Sequence, residues 1–357
     1  MLLPTFVQRL RRRSAERVRP ERRSSFRSQI NQTVLVMFTL GLTTTTLAES
    51  IQKPAIPSPL ASKVLLTDSA NVGGRYVAVG LYGNIVYSDD GMEWRQGNSP
   101  TQNLLTNVFF IDNQNGWAGG HDTLILRTED AGENWRIQYE DPIPGGDIPK
   151  PILDIVFTDK HTGFAAGAYG LLLETTDGGE TWGSVDTDPL YDRLEDLGME
   201  PEPNFNALLA LDGKLLIVGE LGTILLYDPA AETEEARWDV WPSPYEGTFF
   251  GVTQLSSGDL VLYGLRGNVY RAQQPWQDWQ KITTGVISNI YDCVEVDGGD
   301  VVLLGSMGAI LTLVKGGSVV SDLLPYKGFD TLVSGLRYSE RELLLFGTRG
   351  VQVYKFD

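Results

Sequence analysis

The chain is poor in the residues that most often carry catalysis and metal binding. Its 357 residues include one cysteine, Cys293, and two histidines, His121 and His161. A single cysteine excludes an intrachain disulfide and any cysteine-based metal site. Neither histidine has a nearby Ser, Cys or second His with which to form a triad. No catalytic residue, metal site or cofactor is therefore expected. Basic residues are also scarce outside the N-terminus. Residues 1–48 carry nine of the arginines, leaving 20 basic against 44 acidic residues in the remainder of a chain whose net charge is −17. An acidic body without a basic stripe argues against nucleic acid and anionic lipid as partners. Long apolar runs are missing too. The run at 34–42 has nine residues, too few to span a bilayer.

That short run follows an arginine-rich stretch and precedes Thr46-Leu47-Ala48, which places small residues at −3 and −1 before Glu49. The pattern predicts a signal or targeting segment over 1–48 and export to a periplasm or lumen. No cysteine follows the apolar run, so a lipid anchor is not expected, nor is membrane insertion after cleavage. The alternative for this segment is a disordered basic tail with an apolar anchor. Residues 49–62 are Pro-rich and polar and read as an extended linker.

From Lys63 onward the chain is periodic. A unit of an apolar pair, Gly, two residues, often a second Gly and another apolar run recurs seven times. The first glycines are Gly80, Gly120, Gly167, Gly219, Gly264, Gly305 and Gly347, spaced 40 to 52 residues apart. Copy two has Thr123 in the second glycine's place. A period in the forties with four short strands per unit predicts an all-β, seven-bladed β-propeller of four-stranded blades over 63–357.

A second motif, S/T-x-D-x-G-x-x-W, accompanies the first three copies. Its positions are Ser88, Asp90, Gly91 and Trp94, then Thr128, Asp130, Gly132 and Trp135, then Thr175, Asp177, Gly179 and Trp182. The first copy is one residue short in the turn. This Asp-box suits a tight turn in which Asp caps backbone N–H groups and Trp anchors the next strand, so a structural role is expected. Glutamates beside it, such as Glu180, read as solvated. Copy four keeps a relic in Asp228 and Trp238; copies five to seven lose the box. Copy seven ends at Asp357 without an outer strand. Residues 51–60 are expected to supply it and close the ring at the last blade.

Turns in a blade alternate between the two faces of the disc, so the G-x-x-G turns share one face and the boxes the other. The residue before each second glycine is then equivalent: Tyr82, Asp122, Tyr169, Leu221, Arg266, Met307 and Arg349. Tyr, Arg and Met are enriched at protein interfaces, which makes this ring the candidate partner-binding face. Bare exposed hairpin tips are the alternative. The longest insertion, 185–204, is acidic, lacks calcium-loop spacing, and reads as a loop with a helical turn near 190–197 or as a partner-contacting flap. Cys293 lies in an alternating strand and is expected to be buried.

The tandem blades with DDGMEW, DAGENW and DGGETW resemble the photosystem II stability/assembly factor family, most clearly over 75–182. The resemblance implies an exported seven-bladed propeller that binds membrane-protein subunits during assembly; a non-catalytic monomer is expected. Two alternatives stand beside it. One is a periplasmic accessory protein of an envelope transporter. The other is an Asp-box glycoside hydrolase, which would need a deep pocket with paired carboxylates.

Overall fold

The computed structural model describes residues 52–141, 149–199, 201–320, 322–323 and 328–355. The expected targeting segment, residues 1–48, lies outside them. The described chain forms seven antiparallel sheets in sequence order, at 66–96, 105–139, 152–184, 205–240, 249–282, 290–323 and 332–355. We call these blades 1 to 7. Blades 1 to 6 have four strands each, and the arrangement is a seven-bladed β-propeller.

The second strand of every blade is buried almost end to end, as in Arg75–Gly80 and Leu260–Gly264. It is sandwiched between blade neighbours on both faces, which explains its continuous apolar sequence. Outer strands are short and more exposed, down to Arg95–Gln96 and Gly183–Ser184. The core is not one central mass. It lies in layers between adjacent blades, such as Val79, Ile85 and Leu124 between blades 1 and 2.

Each first strand, nearest the axis, is bulged close to its start. The register shifts between Leu66 and Asp68, Leu105 and Asn107, Phe205 and Ala207, Phe249 and Gly251, Ile290 and Asp292, and Leu332 and Ser334. The extra residue re-aims the side chain after it toward the next blade. Three of these side chains are aspartates, counting Asp154 of blade 3. Asp68 accepts from Val108 N of blade 2, Asp154 from Leu208 N of blade 4, and Asp292 from Gly335 N of blade 7, at 2.7–2.8 Å. Each also accepts from the N–H of the following residue. Burial pushes the Asp68 and Asp154 carboxyls up to about 7, and Asp292 up to about 6, against the pull of those N–H donors.

The ring does not close as expected. Among the described residues blade 7 has three strands, and its last, Gln352–Lys355, pairs only with Glu342–Gly347. Ile51 lies outside the described residues, and 52–60 add no strand to it. They run along the exit of blade 1 instead, where Ala55 N donates to Ser99 O and Ser58 N to Gln96 Oε1. Pro54, Pro57 and Pro59 in nine residues lack the donors a strand needs. Closure comes from packing and a few hydrogen bonds across the seam, such as Tyr338 Oη donating to Asp90 O at 2.9 Å. Leu66, Tyr76 and Val86 of blade 1 meet Leu344 and Phe346 of blade 7, and Trp94 stands edge-on to Phe346 at 5.8 Å.

The 185–204 insertion also differs from a flap. It forms a helix, Asp188–Asp196, started by Pro189 in its first turn. Leu190 and Leu194 are fully buried against Phe164, Phe205 and Trp238, filling the seam of blades 3 and 4. Cys293 is buried as expected, and burial pushes its thiol far up.

Candidate functional site

The seven G-x-x-G turns join second and third strands, and the segments linking successive blades pass on the same face. The two features are built against each other. A Cβ on Gly83 would lie 2.0 Å from Thr101 O in the segment leaving blade 1, and one on Gly350 would lie 2.1 Å from Ser62 O. Close approach by passing backbone, together with φ near 70°, explains the second glycine. Thr123, the exception in blade 2, keeps that conformation at φ 52 and donates its hydroxyl to Lys150 O of the passing segment.

The residue before that glycine is held by the same geometry. Tyr82, Asp122, Tyr169, Leu221, Arg266 and Met307 all have φ between 54° and 63°. Non-glycine residues seldom adopt this left-handed conformation, and it costs about 1–2 kcal/mol at each position. The passing segments help to hold it: Tyr169 N donates to Asn204 Oδ1 at 2.7 Å and Arg266 N to Asn289 Oδ1 at 3.1 Å. Arg349 is not among the left-handed residues, and its guanidinium pairs with Asp330 at 2.9 Å. Asp122 accepts from Asn103 Nδ2.

The geometry therefore sets large side chains outward on one face. Tyr82, Tyr169, Leu221 and Met307 are 62%, 57%, 52% and 53% exposed. Beside Tyr82, residues Ile56, Leu60, Ala61 and Val64 border a mainly apolar groove of about 380 Å³. Ile56, Ser58 and Leu60 of that stretch form part of its wall, which is the role 52–60 takes in place of a closing strand. Sequence periodicity located the ring of tips. It missed the groove, because nothing in the spacing places 56–64 beside Tyr82.

The opposite face carries the boxes, and their geometry is structural. Asp90 accepts from Met92 N and Glu93 N, Asp130 from Asn134 N, and Asp177 from Thr181 N, all at 2.8–2.9 Å. Ser88, Thr128 and Thr175 donate to the same carboxylates. The Thr181 hydroxyl and N–H hold Asp177 down to about 2, so its carboxylate stays ionised and is no proton donor at neutral pH. Trp94 and Trp135 return their indole N–H to Gly91 O and Gly132 O. Trp182 packs against Phe157 near Gly179, without that bond. The neighbouring glutamates are not merely solvated. Glu133 pairs with Arg75 at 2.9 Å, and Glu180 with Arg127 and Arg136, tying the second and third boxes to the preceding blade. Nor is the turn lost after copy four. Residues 272–279 and 313–320 keep its eight-residue length in blades 5 and 6, with other residues in the Asp place.

The family model for photosynthesis system II assembly factor YCF48 matches residues 145–322. The chain belongs to this family of photosystem II assembly factors. The match runs through blades 3 to 6 and includes one complete Asp-box, Thr175–Trp182, whereas the resemblance visible by eye is clearest over 75–182. Among solved structures, "YCF48 bound to D1 peptide" is similar at 17% identity and TM-score 0.62, covering 87% of this chain and 97% of that one. YCF48 from Cyanidioschyzon merolae is similar at 15% identity and TM-score 0.64, covering 84% and 97%. The WD40 propeller domain of Doa1 reaches TM-score 0.62 at 10% identity, covering 86% and 96%. Likeness of shape thus shows the propeller fold, and the sequence match carries the family. No curated protein matches the chain.

Proposed function

We propose that this protein is an exported, non-catalytic assembly factor that holds a segment of a photosystem II membrane subunit on its hairpin-turn face. The observation that carries the reading is the set Tyr82, Tyr169, Leu221 and Met307, large side chains kept exposed on one face in a strained backbone conformation. Strain of this kind concentrates at functional positions. The apolar groove beside Tyr82 adds a recess that could accept a side chain from an extended segment. The class of partner is supported by family membership and by the solved YCF48 with a D1 peptide. Export rests on the charge and apolar pattern of residues 1–48.

The test is a binding titration of the purified chain with peptides tiling the D1 subunit. The variant is Tyr82→Ala, Tyr169→Ala and Met307→Ala combined, with unfolding curves to show that it folds. The expected result is a loss of about tenfold or more in affinity, the effect of about 1.4 kcal/mol. Wild-type affinity in the folded variant would remove the hairpin face as the site. N-terminal sequencing of the protein from a lumenal or periplasmic fraction should read from Glu49; a full-length cytosolic chain would contradict export.

A further inference from the structure

A second site is suggested at the rim, in the blade-5 counterpart of the Asp-box turn. There Trp279 takes the place of Trp182, and Trp276 takes the place of Gly179. The box glycines Gly132 and Gly179 have φ of 91° and 83°, and Trp276 has φ 61°. A tryptophan in the left-handed region, at a position where other blades use glycine, is an unusual choice for a mere turn. Its indole N–H donates to Gly258 O at 2.9 Å, which fixes the ring. With Asp239, Trp241, Asp278 and Trp279 it lines a groove of about 430 Å³ at the seam of blades 4 and 5.

The charges of this groove point one way. Asp278 has no hydrogen-bond or ion-pair partner among the described residues. Asp239 accepts from Trp241 Nε1 at 3.2 Å and lies 3.5 Å from the Arg193 guanidinium. No Lys or Arg lines the groove itself. In the same aromatic cluster the chain already pairs a cation with a ring, since the Lys281 ammonium lies 5.8 Å over Tyr270. Indole faces are the strongest aromatic partners for cations, and a free carboxylate beside them adds charge attraction.

We propose that the rim groove binds the Lys or Arg side chains of a basic peptide segment. This site lies apart from the hairpin-turn tips and does not depend on them. The chain's net charge of −17 would draw such a segment toward it. A neutral sugar could also stack on the indoles, and charge dependence separates the two.

The experiment is calorimetric titration of the full chain with an acetylated, amidated Gly-Arg-Gly-Arg-Gly peptide and with its neutral citrulline counterpart. Two variants are compared. Trp276→Gly restores the residue this turn uses in blades 2 and 3 and should fold. Asp278→Asn changes one exposed carboxylate and carries the test if the first variant unfolds. The expected result is preference for the arginine peptide, weakened about fivefold by either variant, and weakened again as salt is raised to about 0.5 M. Equal binding of the citrulline peptide would overturn the proposal. So would wild-type affinity in folded variants, absence of arginine-peptide binding, or binding of a cello-oligosaccharide alone.

Discussion

Blades 2 and 6 build the same turn from different chemistry. In blade 2, Asp130 accepts from the backbone of its own loop, and Trp135 packs beneath it. In blade 6 the same eight positions read LVKGGSVV, with Lys315 in the place of the aspartate and Val320 in that of the tryptophan. The connection to the preceding blade is nevertheless the same. Asn98 N donates to Glu133 O at 2.8 Å, and Trp135 N to Asn98 O at 3.0 Å. Thr283 N donates to Ser318 O at 2.9 Å, and Val320 N to Thr283 O at 3.0 Å. The fold requires the turn's length and this backbone clasp. The box is one way of holding the turn still, and gradual loss of the box along the array is consistent with that.

The difference reaches into the cores. Blades 2 and 3 have Gly and Ala in their second strands, Gly116–Gly120 and Gly163–Gly167, and large rings fill the space. Trp117 stacks on Phe157 at 3.8 Å, and Phe157 meets Trp182 edge-on at 5.9 Å. Blades 5 and 6 instead fill the seam with Val261, Leu303 and Leu311. The aromatic half should therefore be the more fragile to truncation. Trp117→Ala is expected to cost about 3–5 kcal/mol in a denaturant unfolding curve, and Leu303→Ala about 2–5 kcal/mol, so a larger loss in the aliphatic blade would reverse the comparison. At the turns the contrast widens. Trp135→Ala should cost about 3 kcal/mol or more, and Val320→Ala about 1 kcal/mol.

The hairpin turns should not distinguish the halves. Gly83→Ala and Gly267→Ala each force a Cβ against a carbonyl, 2.0 Å and 2.4 Å away, at positive φ. Each should cost about 2 kcal/mol by the same assay, and a large disparity would mean that one half has room to relax. Box carboxylates come next. Asp130→Ala should cost about 1 kcal/mol, while Gln274→Ala, its counterpart in blade 5, should fall within about 0.5 kcal/mol of wild type.

Inner aspartates give the halves a different pH response. A carboxyl raised in the fold takes up a proton on folding, so stability falls as pH rises between the unfolded and folded values. The contribution of Asp68 and Asp154 is complete below about pH 4 and is lost as pH rises through about 7. That of Asp292 is lost by about 6. The thermal midpoint should therefore decline from pH 5 toward pH 8 on account of these groups. Asp154→Asn should flatten the decline more than Asp292→Asn, and a slope unchanged in both would remove the aspartates as its cause.

Much of this was legible in the residues. The recurring glycines, read with the alternation of turns, located seven blades and the ring of tips from Tyr82 to Met307. They did so because close backbone approach leaves no room for a side chain, a constraint that marks the sequence directly. The inner aspartates were not legible. Their role depends on a bulge that aims each side chain at an N–H in the next blade, and bulges leave no fixed residue signature. Glu180 was misread for a similar reason, since its partners Arg127 and Arg136 belong to blade 2. Residues 52–60 were misplaced because a missing strand suggested a donor, whereas their prolines suit them to packing along blade 1.

The sequence by itself thus determined the repeat, its count and the side of the disc on which each turn lies, because period and turn chemistry are local. Only the tertiary structure decided how the ring closes, which acids clasp neighbouring blades, and where Ile56 meets Tyr82 or Trp241 meets Trp276. Those pairings join residues that folding brings together from separate segments of the chain, and no local pattern records them.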